Sequence, residues 1–138
     1  MFTQSREETR KFFRTAWQKR LDGMPLQPLE AVVADVIAAH PEYHEAVLGE
    51  ALDGVKQDPE HNPFLHMGLH IALREQLQAD HPAGIRATFQ SLQVRFPEMH
   101  AREHGVMQLL ANMLWESQQS GAMPDEQVYL QRVRDLVS

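Results

Sequence analysis

The feature that most constrains the fold is the spacing of apolar residues, which follows the helical period between prolines. After Pro28, apolar residues recur at i, i+3, i+4, i+7 and i+8: Leu29, Val32, Val33, Val36 and Ile37. This is the pattern of one face of an amphipathic helix. Nowhere does the sequence keep the alternating pattern of a half-buried strand. We therefore predict an all-α protein, a single domain over residues 1–138 built as an up-down bundle of about five to six helices.

Prolines, glycines and capping residues indicate where these helices begin and end. The predicted helices cover roughly residues 5–22, 28–40, 63–78, 85–96 and 98–119, and a short sixth helix follows Pro124. Pro41 either kinks the second helix or starts a short new one through Leu48, because proline removes a backbone donor. Residues 49–61 read as a loop, and Asn62 before Pro63 is typical of a helix N-terminus.

Composition excludes several classes of protein. The chain has no cysteine, so disulfides, thiolate metal sites and a cysteine nucleophile are excluded, and any metal must be held by nitrogen and oxygen. The net charge is −6 and the 13 basic residues are scattered, which argues against nucleic acid as a partner. No apolar run suits a signal peptide or a membrane span, so we expect a cytoplasmic protein without a membrane partner.

Histidine spacing is the strongest functional signal in the sequence. Six of the eight histidines form three pairs at i, i+4: His40/His44, His66/His70 and His100/His104. Random placement of eight histidines in this length would give only about 0.4 such pairs. Two imidazoles four residues apart share one face of a helix and can bind one cation together. The excess of pairs therefore points to metal binding.

Helical projection predicts which of these side chains face the core. His66 and His70 fall within roughly 60° of the apolar Leu73 when each residue turns the helix by about 100°. The same projection places His40 over the apolar face of the second helix. It places Glu103 in the apolar stripe of the fifth, together with Met107, Leu110 and Leu114. A carboxylate in such a stripe must pair with a cation or coordinate a metal.

Antiparallel packing of neighbouring helices would bring the three pairs to one end of the bundle. We therefore predict a site for a divalent transition metal. Imidazole suits zinc, iron, nickel and copper, and of these we expect zinc or iron. His61 and His81 read as exposed loop residues, and Arg74 as a residue that orients a ligand. The predicted ligands are His40, His44, His66, His70, His100, Glu103 and His104, with His44 the least constrained.

Several alternatives stay open at this point. The segment from His100 to His104 also matches the HxxEH pattern, in which two histidines hold zinc and the glutamate acts as a base. A metal site could serve a hydrolase or a redox protein with a small-molecule substrate. Alternatively, the histidines are structural or pH-sensing, and the protein is an interaction module or homo-oligomer that engages its partner through a terminal helix over residues 125–137.

The chain also resembles a known family through specific segments. These are HisProGluTyrHis at 40–44, AsnProPheLeuHis at 62–66, LeuHisIleAlaLeuArgGluGln at 69–76, and two phenylalanines followed by Trp17 near the N-terminus. With them the chain resembles the uncharacterised bacterial family catalogued as domain of unknown function 1841, over nearly its whole length. The resemblance implies no activity. Likeness to histidine-bearing helical bundles of the hemerythrin and DinB type is a fold-level analogy only.

Overall fold

The computed structural model of the protein describes residues 6–49 and 62–137. Within these two ranges it consists of α-helices and two short 3₁₀ turns, Pro41–Tyr43 and Leu92–Val94, without a strand. The all-α prediction is confirmed. The described helices are α1 (Arg6–Leu21), α2 (Pro28–Ala38), α3 (His44–Leu48), α4 (Pro63–Ala79), α5 (Ile85–Ser91), α6 (Met99–Ser120) and α7 (Glu126–Asp135).

The helix count in the described part is slightly above the predicted five to six. Pro41 accounts for the extra helix, because it starts a 3₁₀ turn that separates α2 from the short α3. The predicted fourth helix is also shorter, since α5 ends at Ser91 and the chain continues as a 3₁₀ turn. The predicted cap at Ser5, most of the loop over residues 49–61 and His61 lie outside the described residues.

The chain divides into two compact units, Met1–Ile71 and Ala72–Ser138, and the boundary falls inside α4. In the first unit α1 packs against α2 and α3, and in the second α7 packs against α5 and α6. Two of these packed pairs, α1–α2 and α6–α7, are consecutive in the sequence. The single domain over residues 1–138 stays a prediction.

The core of the first unit combines aromatic and branched side chains from α1 to α4. Phe13 and Trp17, one helical turn apart on α1, are both buried, as expected of a core face. On α2, Leu29 is exposed whereas Val33 and Ile37 are completely buried, so the apolar face begins one turn into the helix. Further members of this core are Ala16, Ala34, Val36, Val47, Phe64, Met67 and Ile71.

The second unit buries apolar side chains from α4 to α7. On α6, the predicted stripe is confirmed at Met107 and Leu110, which are 4% and 2% exposed. The apolar face of α7 is also covered: its buried residues are Tyr129, Leu130 and Val133. Among the described residues, no helix combines the length and apolar character that crossing a membrane requires.

The turn between α4 and α5 is fixed by two charged side chains. Asp80 Oδ1 accepts hydrogen bonds from the backbone N–H groups of Gly84 and Arg86 at 3.3 and 3.0 Å. The Arg86 guanidinium donates back to the carbonyls of Leu77 and Gln78 at 2.9 and 2.7 Å. These bonds satisfy backbone groups that the end of one helix and the start of the next leave unpaired.

Candidate metal centre

His40 lies at the end of α2, where the chain leaves the helix. Its backbone has φ −126° and ψ 70°, outside the helical region, and Pro41 follows at once. The side chain is 2% exposed, and its Nδ1 lies 2.7 Å from the carbonyl oxygen of Val36. A carbonyl only accepts, so Nδ1 is the donor, and in the neutral ring the lone pair is on Nε2. Metal-binding histidines are commonly oriented by this kind of bond.

His66 and His70 lie on the first turns of α4, which has a well-defined start. Asn62 is buried, and its Oδ1 accepts from the backbone N–H groups of Phe64 and Leu65 at 3.0 and 3.2 Å. This confirms the predicted cap. His70 is completely buried and His66 is half-buried, as the helical projection predicted for a core-facing pair. The cap therefore fixes the part of α4 that carries both imidazoles.

Three imidazoles from these two segments meet inside the first unit. The ring centroid of His40 lies 4.6 Å from that of His70 and 5.2 Å from that of His66, and the His66 and His70 centroids are 5.0 Å apart. Each ring offers one nitrogen, and these nitrogens lie within 4.8 Å of one another. We call this group the histidine triad. Neutral imidazole is a good ligand for zinc, iron, nickel and copper, so the triad is compatible with a bound transition metal.

Tyr43 forms a wall of the histidine triad that the sequence analysis did not identify. Its ring stacks on His40 with a centroid distance of 5.4 Å and an interplanar angle of 8°, and it meets His66 at 6.0 Å and 72°. Burial, and secondly the Glu42 carboxylate, raise the pKa of the Tyr43 phenol, so it keeps its proton at neutral pH. A 3₁₀ turn separates His40 from His44 and places Tyr43, three residues after His40, beside the His40 ring. The sequence analysis did not predict this turn and therefore missed Tyr43.

His44 is placed differently from its partner in the pair. Its Nε2 lies 2.8 Å from the carbonyl oxygen of Ile37 and therefore donates to it, and its ring packs on Trp17 with a centroid distance of 4.5 Å. The rule that i, i+4 residues share a face holds only within one helix, and the non-helical backbone at His40 interrupts it here. The structure thus brings His40, and not His44, into the histidine triad.

In the second unit, Glu103 is buried as predicted, at 1% exposure, and has a cationic partner. The Arg74 guanidinium donates to its two carboxylate oxygens, with Nε to Oε2 at 3.1 Å and Nη2 to Oε1 at 3.4 Å. Arg74, predicted to orient a ligand, therefore neutralises the charge of this carboxylate. The sequence analysis required this carboxylate either to pair with a cation or to coordinate a metal, and the ion pair with Arg74 meets the first of these conditions.

The two histidines that flank Glu103 lie on the surface of α6. His100 and His104 are both exposed, and their ring centroids are 4.3 Å apart, which confirms that the pair shares one helix face. Glu103, the glutamate of the HxxEH pattern, is buried and paired with Arg74, and the catalytic role that this pattern suggests stays a prediction. His81 is exposed, as expected, and its Nε2 lies 3.0 Å from a carboxylate oxygen of Glu126.

Comparison with known proteins identifies the family but no function. Among curated proteins and among solved structures, none matches the chain. The family model described as domain of unknown function (DUF1841) matches residues 5–135. This range includes the histidine triad and the Arg74–Glu103 pair. This match spans nearly the whole sequence and agrees with the resemblance of the histidine-containing segments. The chain therefore belongs to the DUF1841 family.

Proposed function

We propose that the protein binds a divalent transition metal ion through His40, His66 and His70. The observation that carries this proposal is the convergence of three imidazole nitrogens within 4.8 Å of one another. Two nitrogens bound to one tetrahedral zinc ion lie about 3.3 Å apart, given Zn–N bonds of about 2.0–2.1 Å. The nitrogens would have to approach one another by up to about 1.5 Å on binding zinc, and we expect side-chain rotation to supply this shift.

Burial shields this group from solvent. His40 and His70 are 2% and 0% exposed, so a cation bound to them would be largely removed from competition with water. The bond from His40 Nδ1 to the Val36 carbonyl also selects the tautomer in which Nε2 can bind a metal. These two features together support ligands held ready for a cation.

We expect zinc or iron as the resident metal, and its identity determines which chemistry is open to the protein. Zinc does not change oxidation state and would support hydrolysis by polarising a bond of the substrate. Iron would also permit redox chemistry. The further ligands predicted from the sequence, His100, Glu103 and His104, stay predictions, and single alanine variants of each would test them by metal affinity.

The alternative of a non-enzymatic interaction module has weaker support. It relied on the apolar face of the terminal helix as the surface for a partner. Tyr129, Leu130 and Val133 of α7 are instead buried within the second unit. This face is already packed against α5 and α6, so no observation favours its use as a docking surface.

The direct test is the metal content of protein purified without a histidine tag, measured by plasma mass spectrometry. We expect about one metal ion per chain in the wild type after reconstitution with zinc or with ferrous iron. The double variant His66→Ala/His70→Ala should lose this ion, whereas His81→Ala controls for adventitious binding to an exposed histidine. Wild-type protein that binds no metal, or a double variant that retains it, would refute the proposal.

A further inference from the structure

The ring of Tyr43 lies against two of the three imidazoles of the histidine triad. It stacks nearly parallel to the His40 ring, with an interplanar angle of 8° and a centroid distance of 5.4 Å, and it meets the His66 ring at 72° and 6.0 Å. Offset stacking and edge-to-face contact are both favourable arrangements of two aromatic rings. A side chain outside the proposed ligand set therefore contacts two of its members.

The backbone and the core of the first unit hold Tyr43 in this position. The 3₁₀ turn begins at Pro41, and the backbone N–H of Tyr43 donates to the carbonyl oxygen of His40 at 2.9 Å. The next residue, His44, donates from Nε2 to the Ile37 carbonyl at 2.8 Å and so ties the end of the turn to α2. The Tyr43 side chain is half-buried and packs against the core. The turn and the core together therefore set the position of the ring beside the two histidines.

A ring contact of this kind constrains an imidazole in a way that a hydrogen bond alone does not. The bond from His40 Nδ1 to the Val36 carbonyl holds one atom of the ring, whereas a parallel stack also limits tilting of the ring plane. The two rings can still slide parallel to each other, which is compatible with the shift of up to about 1.5 Å expected on zinc binding. Ligands that are already held close to their bound orientation lose less conformational freedom when the metal binds, so their affinity is higher.

We infer that Tyr43 is a positioning residue of the metal centre, which raises metal affinity by holding the rings of His40 and His66 in the orientation that binds the ion. This inference rests on the proposed metal binding and deepens it, because it assigns to a further side chain the control of how tightly the ion is held. The aromatic ring, and not the phenol oxygen, carries this role. A phenylalanine at this position should therefore serve as well as the tyrosine, whereas an aliphatic side chain should not.

Zinc affinities of full-length variants without a histidine tag, measured by competition with a chromophoric chelator, test this inference. Tyr43→Leu and Tyr43→Met remove the planar ring but keep an apolar side chain. We expect each to bind zinc about 10-fold more weakly than the wild type, which is the lower end of the effect of residues that orient metal ligands. Tyr43→Phe keeps the ring and should match the wild type.

A matched control separates positioning from a general effect on packing. Phe12 is another partly buried aromatic residue that packs against the core of this unit, and Phe12→Leu makes the same kind of change there. Both Tyr43→Leu and Phe12→Leu remove apolar contacts, so both should lower the free energy of unfolding of the metal-free protein, measured with urea. Only Tyr43→Leu should also weaken zinc binding.

The outcomes separate this inference from the metal proposal. Zinc bound by Tyr43→Leu and Tyr43→Met as tightly as by the wild type would overturn the inference and leave metal binding standing. An equal loss of affinity in Tyr43→Phe would also overturn it, because the hydroxyl group and not the ring would then be responsible. Equal losses in Tyr43→Leu and Phe12→Leu would contradict it as well, since they would reflect core packing. A wild-type chain that binds neither zinc nor iron would overturn the metal proposal and this inference together.

Discussion

The first turns of α4 and of α6 carry histidine pairs with the same spacing in different surroundings. On α4, His66 and His70 point into the first unit, where the ring of His40 joins them. On α6, His100 and His104 are exposed, and the buried residue between them is Glu103, which pairs with Arg74. Spacing decides only which helix face two residues share, and the packing around that face decides their chemistry.

This difference assigns different roles to the two regions. Uncharged rings that are buried together gain most from a cation, so the α4 region should govern metal affinity. A buried carboxylate with a guanidinium partner is stabilising only while both members are present, so the α6 region should govern the stability of the metal-free protein. Each role can be tested by a variant in one region that leaves the other intact.

The largest expected effect is the loss of metal affinity on substituting His70. We expect His70→Ala to weaken zinc binding at least about 100-fold, because residues that merely orient a ligand already contribute about 10–100-fold. His44→Ala is the matched control: it removes a histidine of the same unit whose Nε2 donates to the Ile37 carbonyl. Competition titration against a chromophoric chelator measures both affinities.

The same pair of variants can reverse the assignment. If His44→Ala loses as much zinc affinity as His70→Ala, then the prediction from sequence that His44 is a ligand is right. The His44 ring would then have to leave its position against Trp17 when the metal binds. A loss of at most about 10-fold in His44→Ala is the expected effect of a residue that holds the turn beside His40.

The second effect concerns the Arg74–Glu103 pair. Arg74→Met keeps most of the side-chain volume but removes the cation from a carboxylate whose side chain is 2% exposed. Breaking a buried pair costs about 3–5 kcal/mol, and since the Arg74 side chain is 29% exposed we expect about 1–3 kcal/mol. Urea unfolding of chelator-treated protein measures it.

A double-mutant cycle with Glu103→Gln tests whether the ion pair itself is responsible. The double variant should be less destabilised than the sum of the two single variants, because each single change already removes the interaction. Additive effects would show that Arg74 and Glu103 stabilise the second unit independently and that the contact between their side chains contributes little.

Much of the fold followed from local patterns. Apolar periodicity identified α1, α2, α4 and α6, and the cap at Asn62 fixed the start of α4 within one residue. The position of Glu103 in the buried stripe was also predicted correctly. These features depend on neighbours a few residues away, which is why one sequence is enough to infer them.

The partners of the buried side chains were harder to predict. Arg74 and Glu103 are 29 residues apart, and no local pattern indicates that a guanidinium will neutralise this particular carboxylate. His40 and His44 were treated as a helical pair, but the backbone leaves the helix at His40 and the next residues form a 3₁₀ turn. Contacts that depend on a change of backbone direction are lost in a projection that assumes one continuous helix.

The third expected effect compares the caps of α4 and α6. Asn62→Ala removes the acceptor for two backbone N–H groups and should cost about 1 kcal/mol. Asn62→Asp retains an acceptor and should be close to the wild type. Glu98, the N-cap residue of α6, makes no side-chain capping bond, so Glu98→Ala should change the unfolding free energy little. Equal losses at Asn62 and Glu98 would contradict this difference.

The smallest expected effect is a pH dependence that both units share. The hydrogen bond from Lys19 lowers the pKa of Glu30 in the first unit, with the Gln27 N–H adding to it, and the backbone N–H of Arg86 lowers the pKa of Asp80 in the second. A carboxyl whose folded pKa is depressed stabilises the protein above its unfolded pKa, and this contribution is lost as the pH falls through the folded value.

Glu30→Gln and Asp80→Asn should therefore differ most from the wild type at neutral pH and least in acid. The difference for Glu30 should shrink as the pH falls below its usual value of 4.5, and that for Asp80 below 3.8. Urea unfolding midpoints across this range measure both. Because the two carboxyls are in different units, equal behaviour would show that acid weakens both units through carboxylates that accept hydrogen bonds. A difference from the wild type that stays constant with pH in either variant would instead mean that this carboxyl acts through packing and not through its charge.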